Sequence, residues 1–443
     1  MDSPLRSLHG SRWILAGLVT AGLAVPALAG NVLTVGGVGG NFADIQSAVT
    51  AAANDDVILV RAGTYAGFAI DGKSLGVVAD TGAVVNVNSQ VVVQNVAAGG
   101  RVVMAGLHVV DTGVFLDSFL LVSNVAGSVR MVGCEIGRAS WTAEVWETQA
   151  AATIVNSPDV ALTGCTLRGR NGPREQLLDI APPAGGSGID VQSSRVSLHD
   201  CQCTGGQGGP PYGDRQGCPG GDGCRVLGSA SLLHASGSTF QGGNAADGHD
   251  QMDCLDFLAG DGGPGGNGIA TMAPGSPAPQ VILLDTTLVV GAGGQGGTGA
   301  CGPDGLDGPP GMQMELAPGT QLTQIPGSNR RMIMPVPVRE SAPVSLTFTG
   351  VPGDSVRLTM WDQAGFVFVP TYNGVLLERA PLLRRINLGI VADTGALTAT
   401  IAFPALPPGV QARLYFLQPY FIDTSNTVRL GSAVGQVVLD SAF

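Results

Sequence analysis

The sequence predicts an all-β protein, in which a solenoid of about seven coils of stacked parallel strands precedes a small antiparallel β-sandwich. Two observations predict it: a short alternating pattern recurs through the middle of the chain, and alternating strands separated by Pro-Gly-type turns return after residue 331. The 443 residues include 68 Gly and carry a formal net charge of −12. This acidic balance excludes a nucleic-acid binder, which needs a basic face.

Residues 1–29 have the composition of a secretory signal peptide. Arg6 and Arg12 make a weakly basic start, residues 13–25 are apolar, and Ala27-Leu28-Ala29 supplies a cleavage site. The apolar run is shorter than the roughly 20 residues that cross a bilayer. We therefore expect a protein that is secreted or held at the cell surface, begins near Gly30 and has no transmembrane segment after signal cleavage.

The first elements after the signal are a helix and a buried strand. Residues 41–53 place apolar side chains at spacings of three and four, which predicts an amphipathic helix capped by Asn41. The apolar run Val57–Val60 predicts a buried strand. Residues 43–65 resemble the N-terminal cap and first coil of the pectin-lyase-like right-handed parallel β-helix proteins, with Ala62 in place of the usual Pro. The resemblance implies a right-handed parallel β-helix with an N-terminal capping helix, and does not define a reaction.

The repeat itself is clearest in three copies, which begin at Val129, Val160 and Val196. Looser copies begin at Leu233 and Ile282, and an earlier copy begins at Val102. In each copy, apolar residues alternate and resume after a bend, as expected of strands that keep one face inward. We assign residues 30–312 to the β-helix and expect its two ends to be covered by residues 41–53 and by the chain after residue 313.

Gly-rich insertions lengthen the coils from residue 204 onward. Residues 204–312 contain 31 Gly, ten Asp and two Arg. The insertions leave successive coils at one corner, so they should lie side by side. Because this composition cannot build a hydrophobic core, we expect mobile or polyglycine-like surface loops.

The eight Cys all lie between residues 134 and 301. Cys134, Cys165 and Cys201 share one repeat position and should form an inward ladder, in which a Cys165–Cys201 bridge is an open alternative. The loop residues Cys218, Cys254 and Cys301 are the better disulfide candidates, because tying long loops removes the most chain entropy. Three loop cysteines cannot all pair with one another.

Calcium is the one metal that the sequence suggests, and no other cofactor is indicated. Ca²⁺ prefers several hard oxygen ligands, and acidic residues recur every third residue in one loop and lie in another loop that should be close. The alternative is that these loops are simply acidic and solvated. The candidate ligands are Asp247, Asp250, Asp253, Asp304 and Asp307.

Two other insertions, residues 138–150 and 168–179, combine the side chains of an acidic-polysaccharide site. Indole rings stack on sugars, Arg pairs with carboxylates, and carboxylates do acid–base chemistry. The ligand-binding candidates are Trp141, Trp146, Arg138 and Arg168, and the catalytic candidates are Glu144, Arg170 and Glu175. Alternatively, the two Trp cover the flank of a coil. Gly248-His249-Asp250 departs from the polygalacturonase Gly-His-Gly motif.

Residues 313–330 read as a linker and residues 331–443 as the β-sandwich module, suited to attachment, display or end-capping. The sequence as a whole predicts a monomeric protein with a structural, carbohydrate-binding or surface-binding role. Its expected partner is a polysaccharide or a cell-envelope surface. The alternative is a polysaccharide lyase or glycoside hydrolase that acts on an acidic polysaccharide.

Overall fold

The computed structural model describes residues 30–37, 39–110, 118–137, 150–172, 184–211, 216–252, 254, 258–272 and 277–443. This part of the chain is nearly all β-structure, with long parallel sheets that form a β-helix-like solenoid and two smaller sheets after it. No helix in these ranges has the length and apolar character to cross a membrane.

In the described residues, the solenoid contains one helix and 24 strands. In chain order they are β1 (Val32–Val35), α1 (Ile45–Ala51), β2 (Val57–Val60), β3 (Gly63–Asp71), β4 (Leu75–Ala79), β5 (Val85–Gln94), β6 (Arg101–Ala105), β7 (Leu107–Val110), β8 (Ser118–Ser123), β9 (Ser128–Val132), β10 (Glu135–Ile136), β11 (Ala150–Val155), β12 (Val160–Thr163), β13 (Thr166–Arg168), β14 (Ile189–Gln192), β15 (Arg195–His199), β16 (Gln202–Thr204), β17 (Cys224–Leu227), β18 (Leu232–Ser236), β19 (Thr239–Gln241), β20 (Ile269–Met272), β21 (Gln280–Leu284), β22 (Thr287–Val289), β23 (Met314–Glu315) and β24 (Gln321–Ile325).

The remaining strands belong to the C-terminal part. They are β25 (Arg331–Ile333), β26 (Val338–Arg339), β27 (Pro343–Thr349), β28 (Ser355–Val369), β29 (Gly374–Ile390), β30 (Ala396–Ala402), β31 (Ala412–Ile422), β32 (Val428–Leu430) and β33 (Val434–Leu439).

Parallel pairing stacks equivalent residues of successive copies. In the ten-stranded sheet, Val160 of β12 lies opposite both Val129 and Val196. These side chains are fully buried, so the predicted inward face is the core of the solenoid. The last copy begins at Val281, which lies opposite Leu233, and not at Ile282 as predicted.

The bend between two strands of each copy occurs at one residue with a left-handed backbone. Gly164 has φ 63° and Asp200 has φ 53° at this position. Glycine has no Cβ to oppose this conformation, and Asp tolerates it better than most residues. The bend therefore favours Gly or Asp, and the alternating apolar pattern resumes directly after that residue.

The cysteine ladder has formed as predicted, without a bridge. Cys134, Cys165 and Cys201 are buried and unpaired, and Ser238 and Thr286 continue the same column. Each column member donates to the carbonyl two residues earlier, as Cys165 Sγ does to Thr163 O at 3.6 Å and Ser238 Oγ to Ser236 O at 3.2 Å. The column therefore favours any small donor side chain.

The capping helix is shorter than predicted and begins after a different residue. Asp44 is its N-cap and accepts from Ser47 N at 2.7 Å. Asn41 Oδ1 instead accepts from Thr34 Oγ1 at 2.7 Å. Ile45 and Val49 are buried against the first coil.

The C-terminal strands form a three-stranded and a six-stranded sheet that share one hydrophobic core. The six-stranded sheet also packs on the outer face of the solenoid, where Leu414 and Val437 meet Val57 and Val103. The prediction that the chain after residue 313 covers the far end is therefore wrong. That chain adds β23 and β24 as a last coil and then returns along the side, because the outer face of the ten-stranded sheet is apolar and must be buried.

The Gly-rich insertions form an ordered two-layer structure, which we call the glycine bundle. Its first layer contains residues 169–172, 205–211, 242–252 and 290–299, and its second layer contains residues 184–188, 216–223, 258–268 and 302–313. Backbone bonds join neighbours within a layer, as Gly248 N to Gln295 O at 2.7 Å, and between layers, as Gly266 N to Gly243 O at 2.9 Å.

Glycine recurs every third residue in the bundle because each segment meets its neighbours at that period. Gly260, Gly263 and Gly266 donate in turn to one adjacent segment, which is the three-residue period of a polyproline II-like helix. A Cβ on Gly266 would overlap the carbonyl oxygen of Gly221. Of the two expected alternatives, mobile or polyglycine-like loops, the described residues form polyglycine-like segments, in which backbone hydrogen bonds replace the missing hydrophobic core.

Candidate functional site

Most of the sequence-predicted polysaccharide site lies outside the described residues: Arg138, Trp141, Glu144, Trp146 and Glu175. Of the two remaining candidates, Arg168 is half exposed at the end of β13, and its Nη1 lies 3.4 Å from Glu135 Oε1. Arg170 is only 4% exposed, so its side chain is not displayed on the surface. The described residues therefore offer one surface cation, Arg168, from this predicted site.

The calcium candidates that the structure describes bond to backbone amides. Asp247 Oδ1 accepts from Gln295 N at 2.7 Å, and Asp250 Oδ1 accepts from Thr298 N at 2.7 Å. Asp304 and Asp307 accept from Gly299 N and Gly296 N in the same way, and Asp253 lies outside the described residues. Within the described ranges, no three His, Cys, Asp or Glu side chains are grouped so as to hold a metal. The spacing of three places acceptors opposite the free amides of the next segment.

In the second layer of the bundle, side-chain oxygens also accept from backbone N–H groups of the next segment, except at one position. Asp261 and Asn267 accept from Leu306 N and Met312 N, each 45 residues later and 2.7 Å away. At the position between them, the same spacing pairs Pro264 with Pro309, which has no N–H to satisfy. An acceptor side chain is thus present where the facing residue has an N–H group, and it is absent where the facing residue is Pro309.

One disulfide joins the loop cysteines Cys254 and Cys301, as the sequence analysis expected of this group. It links the turns at the tips of two adjacent bundle hairpins. Cys218 is buried and unpaired, and the open alternative of a Cys165–Cys201 bond is not adopted. Burial raises the pKa of Cys218 to about 11, which keeps this thiol protonated and unreactive at neutral pH.

A cleft follows the junction between the solenoid and the six-stranded sheet, and we call it the junction cleft. It consists of two cavities of about 540 and 330 Å³ that share Gly99, Gly100, Arg101 and Gln363. Turns of the solenoid form one wall, and β28 with β29 forms the other. Together they form a concave surface long enough for part of an extended ligand.

The wider cavity contains a row of alternating charges. Arg101 Nε lies 3.0 Å from Asp55 Oδ1, and Arg101 Nη1 lies 3.6 Å from Asp362 Oδ1. Arg413 Nη2 lies 3.1 Å from the same Asp362 oxygen. The four side chains are balanced in charge, and the partly exposed Asp362 and Arg413 offer a hydrogen-bond acceptor and donors without a preference for a polyanion.

Beneath the narrower cavity, Arg130 fastens the hairpin of β28 and β29 to the solenoid. It is 2% exposed, and its Nη2 lies 2.7 Å from Asp159 Oδ1. The same nitrogen donates to Gly365 O at 3.0 Å and to Leu377 O at 3.3 Å. These contacts hold the two walls of the cleft at a fixed separation.

Glu378 lines the narrower cavity with a nearly buried carboxyl group. Thr359 Oγ1 lies 2.9 and 3.0 Å from its two oxygens and 2.8 Å from Gln418 O. The hydroxyl has one proton, so if the carbonyl receives it, Glu378 must carry a proton for the remaining contact. Burial raises the pKa of Glu378 well above its usual range, against the opposing hydrogen bond from Thr359.

A second polar group is buried under the hairpin. Ser197 Oγ lies 3.0 Å from His199 Nε2 and 2.8 Å from His234 Nδ1. Burial, helped by the charge of Arg130, lowers the pKa of His199 to about 4, and burial lowers that of His234 well below its usual value. Both rings are neutral at pH 7, and the closed surroundings admit no substrate.

Sequence reasoning missed the junction cleft entirely. Asp55, Arg101 and Asp362 come from distant parts of the chain, and no local motif surrounds any of them. Comparison of the chain with protein-family models gives no match, and no curated protein matches it either. The function is therefore argued from the geometry of the cleft.

Proposed function

We propose that this chain is a secreted or cell-surface β-helix protein with a structural and carbohydrate-binding role, and that the junction cleft receives a polysaccharide chain. In finer detail, we propose a right-handed parallel β-helix of the pectin-lyase-like class with about seven coils and a C-terminal antiparallel β-sandwich. The resemblance of residues 43–65 supports the class, and the apolar segment with the Ala-Leu-Ala site supports export.

The observation that carries the binding role is the continuous cleft with balanced charges. Sugar hydroxyls need many donors and acceptors at fixed positions, and the row from Asp55 to Arg413 supplies both. Arg130 ties the hairpin wall to the solenoid wall, so little ordering is needed on binding. A neutral or weakly acidic glycan fits this lining better than a polyanion.

The test is a binding screen of the purified full chain against neutral and acidic glycans. Ala98 lines the wider cavity and is exposed, so Ala98→Trp blocks the cleft without removing an ion pair. Ala405, exposed and away from both cavities, gives the control Ala405→Trp. We expect Ala98→Trp to lower the affinity for the best-binding glycan at least tenfold. Ala405→Trp should leave that affinity unchanged. Equal affinities in both variants would refute a site in the cleft.

Glycoside hydrolysis is the second candidate, and Glu378 favours it. Glycosidases use one protonated and one ionised carboxyl group. The narrower cavity is lined by Glu378, whose pKa burial raises, and by Asp159, which is paired with Arg130. Glu378→Gln keeps the shape and removes the acid, so hydrolysis by this pair predicts that reducing-sugar release is lost while glycan binding is retained. Release by the variant at the wild-type rate would exclude Glu378.

A further inference from the structure

The solenoid ends in an open strand edge at β24. One side of β24 pairs with β21, from Gln280 opposite Gln321 to Leu284 opposite Ile325. In the described part of the chain, no strand pairs with its other side. Gln321 N donates to Pro279 O at 2.9 Å. Because backbone groups alternate in direction along a strand, the N–H and C=O groups of Leu322 and Gln324 point to the open side.

The last coil also leaves apolar side chains in solvent. Four of them are 37–51% exposed: Met272, Val289, Met312 and Leu322. At the opposite end, Ile45 and Val49 of α1 are buried over the first coil. Within the described residues, the solenoid therefore has one covered end and one uncovered end, although a stacked-repeat protein needs both ends covered.

Of the other edges near this end, where β22 and β23 are also terminal strands, the rim of the glycine bundle is blocked by side chains. At the rim of the glycine bundle, Asp307 and Asp304 accept from Gly296 N and Gly299 N at 2.9 and 2.7 Å. Pro310 on the same segment has no N–H to offer. Charged residues and Pro are the usual protection of an edge. Residues Gln321–Ile325 contain neither.

We propose that the uncovered end is an interface with a second copy of this chain, in which two β24 strands pair antiparallel about a twofold axis. An antiparallel pair of identical strands is self-complementary, so the open donors and acceptors of one copy meet those of the other. The two ten-stranded sheets then continue into each other. The exposed apolar side chains of the two last coils face one another across the axis.

The charge distribution also favours a second copy at this end. The net charge of −12 opposes contact between copies over most of their surfaces. Glu315 is the one charged residue of β22, β23 and β24, and its Oε2 accepts from Asn267 Nδ2 at 2.8 Å. These three strands thus carry a single charge, although the protein as a whole is acidic.

The test is the mass of the full chain in solution, by sedimentation velocity across a concentration range reaching about 50 μM. We expect a dimer that dissociates on dilution. Gln324→Lys places two like charges at the twofold axis and should raise the dissociation constant at least tenfold, as should Leu322→Lys. Ser345→Lys adds the same charge at an exposed position of β27 and should have no effect. Gln324 is exposed, so Gln324→Lys should keep the melting temperature of the monomer.

A wild-type protein that stays monomeric at the highest concentration would overturn the proposal, as would a dimer that survives Gln324→Lys. Filaments that grow without limit would also overturn it, since a twofold contact closes after two copies. Hydrogen exchange gives an independent measurement: the amides of Leu322 and Gln324 should exchange more slowly in the wild type than in Gln324→Lys, and equal rates would contradict pairing at β24.

Discussion

Arg130 and Asp159 form an ion pair at 2.7 Å that links the solenoid to the C-terminal sheets, because the same guanidinium also donates to Gly365 and Leu377 of the hairpin. Arg130 additionally lies 5.8 Å from the ring of Phe416. A fully buried cation is costly unless it is paired and hydrogen-bonded. This residue therefore determines how firmly the two walls of the junction cleft are held.

Arg130→Met should lower the free energy of unfolding by about 3 kcal/mol, since it leaves Asp159 partly buried without its partner. The double variant Arg130→Met/Asp159→Asn should be less damaged than the single variant. Chemical denaturation of the four proteins of this cycle measures the coupling. A single variant as stable as the wild type would show that the link does not bear on stability.

Gly266→Ala should cost about 2 kcal/mol, because the new Cβ would overlap the backbone of Gly221 inside the bundle. Gly302→Ala is the matched control, since a Cβ there meets the ends of Leu258 and Gln251 at 3.2 and 3.5 Å. Hydrogen exchange of the bundle amides should rise in the first variant and stay low in the second. Fast exchange already in the wild type would mean that the bundle is not ordered.

Asp250→Ala should lower the melting temperature of the bundle, since the carboxylate accepts from both the amide and the hydroxyl of Thr298. The loss should be equal in chelator and in millimolar calcium, because the acceptor role needs no metal. Thermal melts in the two buffers make the comparison. Stabilisation by calcium in the wild type that disappears in Asp250→Ala would assign these Asp to a metal site.

The stability contributed by the neutral rings of His199 and His234 should fall as the pH drops below about 6.5, because the unfolded state then binds protons at these rings that the folded state does not bind. The raised pKa of the buried Glu378 acts in the opposite direction, so the comparison of wild type and variant isolates the His contribution. The pKa of His199 is lowered to about 4, so its contribution is complete above pH 6.5 and is lost progressively between pH 6.5 and 4. In this window, each His should change the free energy of unfolding by at most about 1.4 kcal/mol per pH unit. The variant His199→Gln should flatten the profile in this window, and an unchanged profile would contradict the assignment.

The repeat was predictable because each coil reuses the same few positions. The inward stack at Val129, Val160 and Val196, the cysteine column and the bend after each strand are all visible in a window of eight residues. The register of the last copy was missed by one residue because Val281 and Ile282 are both apolar. Local alternation cannot separate two adjacent residues of similar hydrophobicity.

The functional geometry could not be predicted in the same way. The three-residue spacing of Asp247 and Asp250 suits a metal loop and a three-residue helix equally well, and no local pattern shows that backbone amides 48 residues later donate to these carboxylates. The junction cleft depends on the C-terminal sheets lying beside the solenoid, whereas the sequence suggested that the chain after residue 313 covers its end. Arg101 and Asp362 meet only in that arrangement.

The most direct test of the central claim compares glycan binding by the wild type, Ala98→Trp and the double variant Trp141→Ala/Trp146→Ala. Ala98→Trp obstructs the junction cleft, whereas the double variant removes the indole rings of the sequence-predicted site. Our account predicts that Ala98→Trp abolishes binding of the best glycan and that the double variant retains it. Binding that survives Ala98→Trp and disappears in the double variant would contradict the account and place the site on residues 138–150.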